Sequence, residues 1–337
     1  MRNLFKLMGE SLKAGEDFVL VTVIASSGST PRGSGARMLV GKKGRLAGTI
    51  GGGTVEYRSE QIAAEILKNK RSGEHNFTLT KDDVENLGMI CGGAVGVFFL
   101  YIPAGDQETI SLAKEVEKRF DQGQDIWLIS DLSGDGRLAI WSKAGGSFGF
   151  DIPQTVLESL SRQPVRIKEA DIDMYAEQIG SSGKVYIFGC GHVGQALVPA
   201  LASVGFRCVA ADDRPEFADK KLFPDAEDVM VIDLENIAEK IKIGPEDYVC
   251  IMTRGHSHDT IVQAQVLRTP ACYIGVIGSK YKIAGVQAEL RKQGFDEKDF
   301  ARITTPIGLA IKAETPAEIA ISICAQMIEL RATRSKA

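Results

Sequence analysis

The feature that most constrains this chain is a glycine turn between an apolar strand and a helical pattern. Residues 184–188 form the strand, and they run directly into Gly189, Gly191 and Gly194 at the start of the helix. An acidic residue, Asp212, closes the next apolar run about twenty residues later. Strand, glycine turn, helix and acid in this order are typical of a dinucleotide-binding unit. The pattern therefore predicts a site for a phosphate-bearing ligand.

Each glycine has its own structural role in such a turn. Gly189 permits the tight turn after the strand, Gly191 lets the backbone approach a diphosphate, and Gly194 lets the helix lie close to the sheet. Unpaired amides and the positive end of the helix dipole near His192 favour an anion at the same place. The alternative is a glycine turn in an α/β domain that binds no ligand.

The residues around the acid leave the identity of a nucleotide open. Asp212 is expected to accept hydrogen bonds from ribose hydroxyls, as in domains that bind NAD. Arg214 stands two residues later and could instead pair with the 2′-phosphate of NADP. The sequence therefore does not distinguish NAD from NADP.

Composition limits the classes of protein to which this chain can belong. A chain of 337 residues, of which 44% are hydrophobic, can bury the cores of two domains. Its net charge of -4 gives no electrostatic reason to expect nucleic acid or a membrane as a partner. The longest apolar run, 18–25, is too short to span a bilayer. Six cysteines without a C-x-x-C pair are typical of reduced thiols in a cytoplasmic protein.

Hydrophobic periodicity predicts an α/β fold with two domains. Residues 183–337 alternate strands and helices, which indicates a Rossmann-like, doubly wound and mostly parallel sheet. Residues 1–180 are predicted to form an N-terminal α/β domain. The predicted C-terminal strands are 184–188, 207–212, 229–233, 247–252, 272–277 and one near 300–303, and the predicted helices are 191–204, 259–267, 281–293 and one from Pro316 with Thr315 and Glu318 as its capping box.

The N-terminal half contains three glycine-rich segments. They are residues 26–37, residues 48–53 at the start of a helix, and residues 87–96 before an apolar strand. The first segment is expected to be a loop with exposed amides and cationic side chains, among them Arg37. Three such segments within one hundred residues suggest a binding site.

The second and third segments carry the more specific chemistry. Gly51, Gly52 and Gly53 offer a second possible anion cradle, because amides at a helix start can bind a phosphate. Cys91 is followed by glycine backbone, and a thiolate suits a soft metal centre. The alternative is that these glycines form tight turns and that Cys91 is a buried core residue.

These segments belong to a longer series of motifs that resembles the XdhC/CoxI family, the xanthine dehydrogenase accessory factors. The resemblance covers residues 15–102 and 184–330. Its motifs, in chain order, are 26–38, 51–53 with Glu56, 88–93, 188–194, 212–218, 253–259, 273–280, 305–309 and 314–318.

The resemblance implies a function that the dinucleotide pattern alone does not. Members of the family bind the molybdenum cofactor (molybdopterin), protect it while a cysteine desulfurase installs a terminal sulfur, and deliver it to a xanthine dehydrogenase-like molybdenum hydroxylase. This chain is short and lacks spaced cysteines for iron–sulfur centres, so we expect a chaperone rather than the dehydrogenase. A homodimer is also expected as a possible assembly.

Carried onto the matching positions, the resemblance implies two cofactor contacts. Cys91 with Gly92 and Gly93 is the candidate for contact with molybdenum or its dithiolene, and residues 51–53 are the candidate pterin-phosphate loop. Residues 189–194 could hold NAD(P), a nucleotide form of the cofactor, or the pterin phosphate. Cys190 departs from the family pattern, in which a smaller residue is expected, and would add a second accessible thiol.

A short polar segment after the strand 247–252 carries two histidines. His256 and His258, with Asp259, could coordinate a metal or transfer a proton, since open α/β sheets bind ligands at this end of their strands. The alternative is that Asp259 caps a helix beginning at Thr260 and that the histidines are solvated.

Two further functions remain possible beside the chaperone. One is an NAD(P)-dependent oxidoreductase, although no Tyr-x-x-x-Lys pair follows the glycine turn at the usual distance. The other is catalysis on the cofactor itself, such as nucleotide hydrolysis, with Glu56, His256 or His258 as the acid or base.

Overall fold

The computed structural model describes residues 1–28, 33–79, 93–169, 171–180, 183–254, 256–278 and 280–334. The chain divides into two compact units, Met1–Ser181 and Ser182–Ala337. Each unit has its own sheets and its own buried cores.

The N-terminal unit contains two five-stranded sheets. The strands are β1 Phe18–Gly28, β2 Arg37–Gly41, β3 Gly44–Thr49, β4 Gly73–Leu79, β5 Gly93–Ile102, β6 Ile126–Asp131, β7 Arg137–Ser142, β8 Gly146–Phe148, β9 Val165–Glu169 and β10 Ile172–Gly180. Their orders are β3-β2-β1-β5-β4 and β8-β7-β6-β10-β9, and neighbouring strands in both sheets are antiparallel. The helices are α1 Arg2–Lys13, α2 Gly53–Asn69, α3 Gln107–Asp121 and α4 Gln154–Glu158.

Helices cover these sheets according to their apolar spacing. Phe5, Met8 and Leu12 recur at helical spacing in α1, and they pack with α3 into a core that both sheets share. Successive side chains of a strand point to opposite faces, so β1 also has a second buried set, Val19 among them, which packs against α2. Burial of each such Leu or Phe contributes about 1.5–3 kcal/mol.

The C-terminal unit contains a six-stranded parallel sheet. The strands are β11 Lys184–Phe188, β12 Arg207–Asp212, β13 Asp228–Val231, β14 Tyr248–Ile251, β15 Tyr273–Val276 and β16 Ile303–Thr304, and the helices are α5 His192–Ser203, α6 His256–Leu267, α7 Lys280–Lys292, α8 Glu297–Phe300 and α9 Pro316–Arg334. The strand order is β13-β12-β11-β14-β15-β16. This is the Rossmann order, with its switch point between β11 and β14.

Helices lie on both faces of this sheet, which confirms the doubly wound prediction. Leu197 of α5 and Met327 of α9 belong to one buried core, and Val262 of α6 and Leu290 of α7 belong to the other. The strands β11 and β12 have their predicted bounds, α9 begins at Pro316 as predicted, and the other predicted elements differ by a few residues at their ends. Within the described ranges, no helix is long and apolar enough to cross a membrane.

The capping predictions had different outcomes. The capping box of α9 is confirmed, because the Glu318 amide donates to the Thr315 hydroxyl at 3.2 Å and the Thr315 amide donates to Glu318 Oε2 at 3.0 Å. The alternative in which Asp259 caps a helix beginning at Thr260 is wrong, because α6 begins at His256. Asp259 lies inside the first turn of that helix, fully buried, and accepts a hydrogen bond from the Thr253 hydroxyl.

Candidate functional site

The three N-terminal glycine segments join the first sheet at the same end of its strands, which we call the glycine-rich edge. Gly28, at the end of β1, pairs with Gly93, at the start of β5. Arg37, at the start of β2, pairs with Thr22 of β1 on one side and with Thr49, at the end of β3, on the other. Because these neighbouring strands are antiparallel, the segments after β1, after β3 and before β5 begin or end at the same edge.

The candidate molybdenum contact is only partly described. Cys91 and Gly92 lie outside the described residues, so the contact predicted for them stays a prediction. Gly93 is the first residue of β5 and is bound into the sheet opposite Gly28. Cys91 stands two residues before Gly93 in the sequence.

The segment 48–53 is a turn whose backbone requires glycine. Gly51, Gly52 and Gly53 have φ angles of +124°, +77° and +63°, in the left-handed region that side chains with a Cβ disfavour. An ideal Cβ on Gly48 would lie 2.3 Å from the Arg37 carbonyl oxygen. The turn thus carries the chain from β3 into α2 over a very short distance.

The amides of this turn already donate to the protein's own acceptors, and the predicted anion contact stays a prediction. The amides of Ile50 and Gly52 donate to Glu56 Oε2 at 3.0 and 3.2 Å, and the Gly51 amide donates to the Thr49 hydroxyl at 3.1 Å. A carboxylate at the start of α2 therefore occupies the position predicted for a pterin phosphate. A phosphate there would have to displace a negative charge that already satisfies the turn.

Glu56 anchors the turn, and its role as an acid or base stays a prediction. Besides the two amides, it accepts hydrogen bonds from the Thr49 hydroxyl and the Arg45 guanidinium. Burial alone would raise the pKa of Glu56, but these hydrogen bonds, together with the charge of Arg45, lower it below its usual value. The carboxylate is ionised at neutral pH, and its lone pairs are already in use.

The sequence did not predict the buried ion pair that Arg37, at the glycine-rich edge, forms with Glu177. Arg37 was expected to be exposed, yet its side chain is only 2% exposed and contacts Glu177 of β10 in the second sheet. An ideal Cβ on Gly35 would lie 2.3 Å from Glu177 Oε2, so the loop before β2 closes directly over this carboxylate. The only signal in the sequence is that Glu177 is the one charged residue within the run 174–179. The pair joins the glycine-rich edge to the second sheet.

In the C-terminal unit, the glycine turn has the predicted backbone geometry. Gly189 has a φ of +119°, and an ideal Cβ there would lie 2.3 Å from the Met252 carbonyl oxygen. An ideal Cβ on Gly194 would lie 2.3 Å from the Gly189 carbonyl oxygen, so the close approach of helix and strand is confirmed. Gly191 has open space around it. That space is where a ligand phosphate is predicted to lie, and contact with a ligand stays a prediction.

The start of α5 faces the switch point of the sheet. His192 is its first residue and is exposed, and Gly191 is its N-cap without a capping side chain. The amides of the first turn therefore lack the side-chain acceptor that usually caps the N-terminus of a helix. This differs from the turn before α2, whose amides at positions 50–52 are already bonded.

Asp212, the predicted ribose contact, has a carboxylate that is already hydrogen-bonded within the protein. It is 3% exposed, and it accepts hydrogen bonds from the Cys190 amide at 2.8 Å and from the amide, Nε and Nη2 of Arg214 at 3.1, 2.8 and 3.0 Å. Arg214, predicted to be available for a 2′-phosphate, is bound in the same contact. Burial tends to raise the pKa of Asp212, but the bonds from Arg214 and the Cys190 amide lower it below its usual value.

The Cys190 thiol is not the accessible second thiol that the sequence suggested. Cys190 is 0% exposed and lies in the buried core to which α5 and α9 contribute. Burial, followed by the nearby charge of Asp212, raises the pKa of Cys190 to about 12. A thiol with this pKa is protonated at neutral pH and is a poor nucleophile or metal ligand.

The histidine segment lies at the carboxyl end of β14. His256 is the first residue of α6, and His258 Nδ1 lies 3.3 Å from the Arg254 carbonyl oxygen. Arg254 also approaches Asp213, with 3.7 Å between Nη2 and Oδ2. No group of three or more metal-binding side chains occurs among those that the structure describes, which do not include the side chain of His256. A role for either histidine as ligand or acid stays a prediction.

Known proteins resemble this chain over nearly its whole length. A probable xanthine dehydrogenase subunit of Bacillus subtilis (strain 168) is 25% identical over 335 residues, which is 98% of each chain. The molybdenum cofactor insertion chaperone PaoD of Escherichia coli (strain K12) is 21% identical over 346 residues, which cover 98% of this chain and 88% of PaoD. A crystal structure of a xanthine dehydrogenase from Bacillus halodurans matches with a TM-score of 0.78 and 27% identity, covering 98% of this chain and 96% of that one.

Family models match both units. The model of the XdhC Rossmann domain matches residues 185–327, and the model of the XdhC and CoxI family matches residues 11–79. Together they cover more than half of the chain and include the glycine turns 48–53 and 189–194. From these matches and the full-length relatives, the chain belongs to the XdhC and CoxI family.

Proposed function

We propose that this protein binds the molybdenum cofactor, holds it during sulfuration and assists its insertion into a xanthine dehydrogenase-type molybdenum hydroxylase. The observation that carries the proposal is the meeting of three glycine segments at one edge of the first sheet, two residues from Cys91 in sequence. The chaperone name of one full-length relative supports the same role.

In this proposal, Cys91 contacts molybdenum or its dithiolene, and the backbone at Gly92 and Gly93 lets the cofactor approach. A thiolate is a soft ligand suited to such a centre, and glycine removes the side chains that would keep a pterin away. The turn 51–53 contributes shape instead of phosphate-binding amides, because Glu56 already holds those amides. The Arg37–Glu177 pair and Glu56 act as positioning residues for the site.

The proposal is tested by measuring what remains bound after native purification. Protein isolated from cells that make the cofactor is analysed for molybdenum by plasma mass spectrometry and for pterin by fluorescence after oxidation. We expect both in the unmodified chain and a loss of about tenfold or more in Cys91→Ala, the scale on which changes at a metal site reduce affinity.

Cys272→Ala is the matched control for this experiment. It removes one thiol of intermediate exposure from the C-terminal unit, so its molybdenum content should equal that of the unmodified protein. Retention of molybdenum in Cys91→Ala would remove Cys91 from the site. Absence of both molybdenum and pterin from the unmodified chain would contradict the proposed function itself.

The proposal includes two protein partners and an assembly. The partners are a cysteine desulfurase, which supplies the sulfur, and the client hydroxylase, which receives the loaded cofactor; we also propose a homodimer and a cytoplasmic location, where cysteines stay reduced. A reconstitution assay tests delivery: the cofactor-free client should gain activity only with the loaded protein and the desulfurase together. Analytical ultracentrifugation tests the dimer.

A further inference from the structure

The Rossmann fold of the C-terminal unit raises the question of which cofactor it admits. In dinucleotide-binding domains of this order, an acidic residue at the end of the second strand accepts hydrogen bonds from a ribose. Here the second strand is β12, and its last residue is Asp212. The fit of NAD or NADP therefore depends on whether this carboxylate has acceptor positions left.

Asp212 has none left in this structure. A carboxylate offers about four acceptor positions, two on each oxygen. Oδ1 accepts from the amide and Nε of Arg214, and Oδ2 accepts from the Cys190 amide and Nη2 of Arg214. Two parallel bonds from one guanidinium are among the strongest hydrogen-bonded contacts in proteins. A ribose hydroxyl would have to break this pair before it could bind.

Arg214 is held in this position from further sides. Its guanidinium carbon lies 3.7 Å from the centre of the Phe217 ring, which is close enough for a cation–π contact. Its Nε lies 3.8 Å from Asp213 Oδ1, so two carboxylates share its charge. The 2′-phosphate of NADP would compete with both carboxylates for the same cation. Neither the diol of NAD nor the phosphate of NADP therefore fits the contacts that usually recognise them.

We infer that Arg214 closes the ribose subsite of this Rossmann unit and is the residue that excludes NAD and NADP. The unit keeps the glycine turn of a dinucleotide-binding domain, but its recognition carboxylate is bound by the protein's own arginine. An NAD(P)-dependent oxidoreductase therefore lacks its cofactor site here. The inference concerns the C-terminal unit alone, so a failure of molybdenum cofactor binding at Cys91 would leave it unchanged.

The inference predicts a gain of binding when Arg214 is shortened. NAD⁺ and NADP⁺ are titrated separately by calorimetry into the full chain and into Arg214→Ala. We expect no measurable binding to the unmodified chain and a gain of about tenfold or more for NAD⁺ in the variant, the scale set by freeing a charged hydrogen-bond acceptor. The double variant Asp212→Asn with Arg214→Ala should lose most of that gain, because its amide no longer offers two accepting oxygens.

Two further variants separate this effect from general destabilisation. Arg207→Ala removes a guanidinium–carboxylate pair with Glu227 from the other end of β12, and it should not gain NAD⁺ binding. Arg214→Gln keeps one donor near Asp212 and should show a smaller gain than Arg214→Ala, which preserves the test if the alanine variant folds poorly. Binding of either nucleotide to the unmodified chain, or no gain in the folded Arg214 variants, would overturn the inference.

Discussion

The two glycine turns that begin helices in this protein resemble each other in sequence and differ in chemistry. Before α2, the turn 48–53 is followed by Glu56, and before α5, the turn 189–194 is accompanied by Asp212. Both carboxylates are buried and both are paired with an arginine. Glu56, however, accepts from two amides of its own glycine turn, whereas Asp212 accepts from only one amide of the turn 189–194, that of Cys190.

The difference follows from where each carboxylate is attached. Glu56 lies in the first turn of the helix that follows its glycines, so its side chain folds back over them and binds their amides. Asp212 lies at the end of a neighbouring strand and reaches the turn from the side. A glycine-rich helix start is therefore a possible anion site only when no nearby carboxylate already occupies it. The first helical turn of α5 meets this condition, because Asp212 takes, of the turn 189–194, only the Cys190 amide before it, and the turn before α2 does not.

The largest expected effect is in the turn 189–194, where Gly194 is closely packed and Gly191 has open space around it. Gly194→Ala places a Cβ against the Gly189 carbonyl oxygen and should reduce the free energy of unfolding by about 3 kcal/mol. Gly191→Ala meets no atom within 4 Å and should cost about 1 kcal/mol or less. Urea unfolding followed by circular dichroism measures both. Equal costs for the two variants would contradict the packing role of Gly194.

The next effect tests the anchor of the first turn. Glu56→Ala leaves two amides, a hydroxyl and Arg45 without their acceptor and should cost about 2–3 kcal/mol. Glu60→Ala is the control: it lies one helical turn later, and its carboxylate is 3.6 Å from Arg45 Nε, so it should cost about 0.5 kcal/mol or less.

Tryptophan fluorescence is the appropriate measurement for these glutamate variants. The two tryptophans of the chain, Trp127 and Trp141, pack together in the N-terminal unit with ring centroids 5.5 Å apart, so their emission reports on the unit that contains Glu56. If Glu56→Ala and Glu60→Ala shift the unfolding midpoint by the same amount, the turn does not depend on Glu56.

A smaller effect is expected from pH. Because the folded-state pKa of Glu56 lies below its usual value, its stabilising contribution is fully present above the ordinary glutamate pKa of about 4.3 and is lost as pH falls through the lower folded-state value. Glu56→Gln lacks this carboxylate. The difference in unfolding free energy between the two proteins should therefore be largest near neutral pH and should shrink in acid. A difference that grows in acid would contradict the assigned direction of the shift.

The smallest expected effect is the absence of a reaction at the second turn. Because the Cys190 thiol is buried and its pKa is raised to about 12, iodoacetamide at about pH 8 should leave it unmodified in the native protein. Peptide mass spectrometry measures the labelled fraction, and labelling after unfolding in urea is the positive control. Rapid native labelling of Cys190 would show that the turn opens to solvent.

Much of the fold and part of the site could be predicted from the sequence. Alternating apolar strands and helical patterns determined the Rossmann-like unit, and the backbone roles of Gly189 and Gly194 followed from their places in the turn. The order of motifs identified the family, which matching models confirm. These features are local: each depends on the spacing of neighbouring residues, so a single stretch of sequence contains the whole signal.

Only the tertiary structure decided which polar groups are already bound to each other. The sequence presents Arg37, Glu56, Asp212 and Arg214 as charged residues beside glycine turns, which equally suits ligand binding and internal pairing. The fold brings Glu177 to Arg37 from another sheet and the Cys190 amide to Asp212 from a neighbouring strand. A buried charge is stable only when such partners satisfy it, and partners distant in sequence become visible only when the chain has folded.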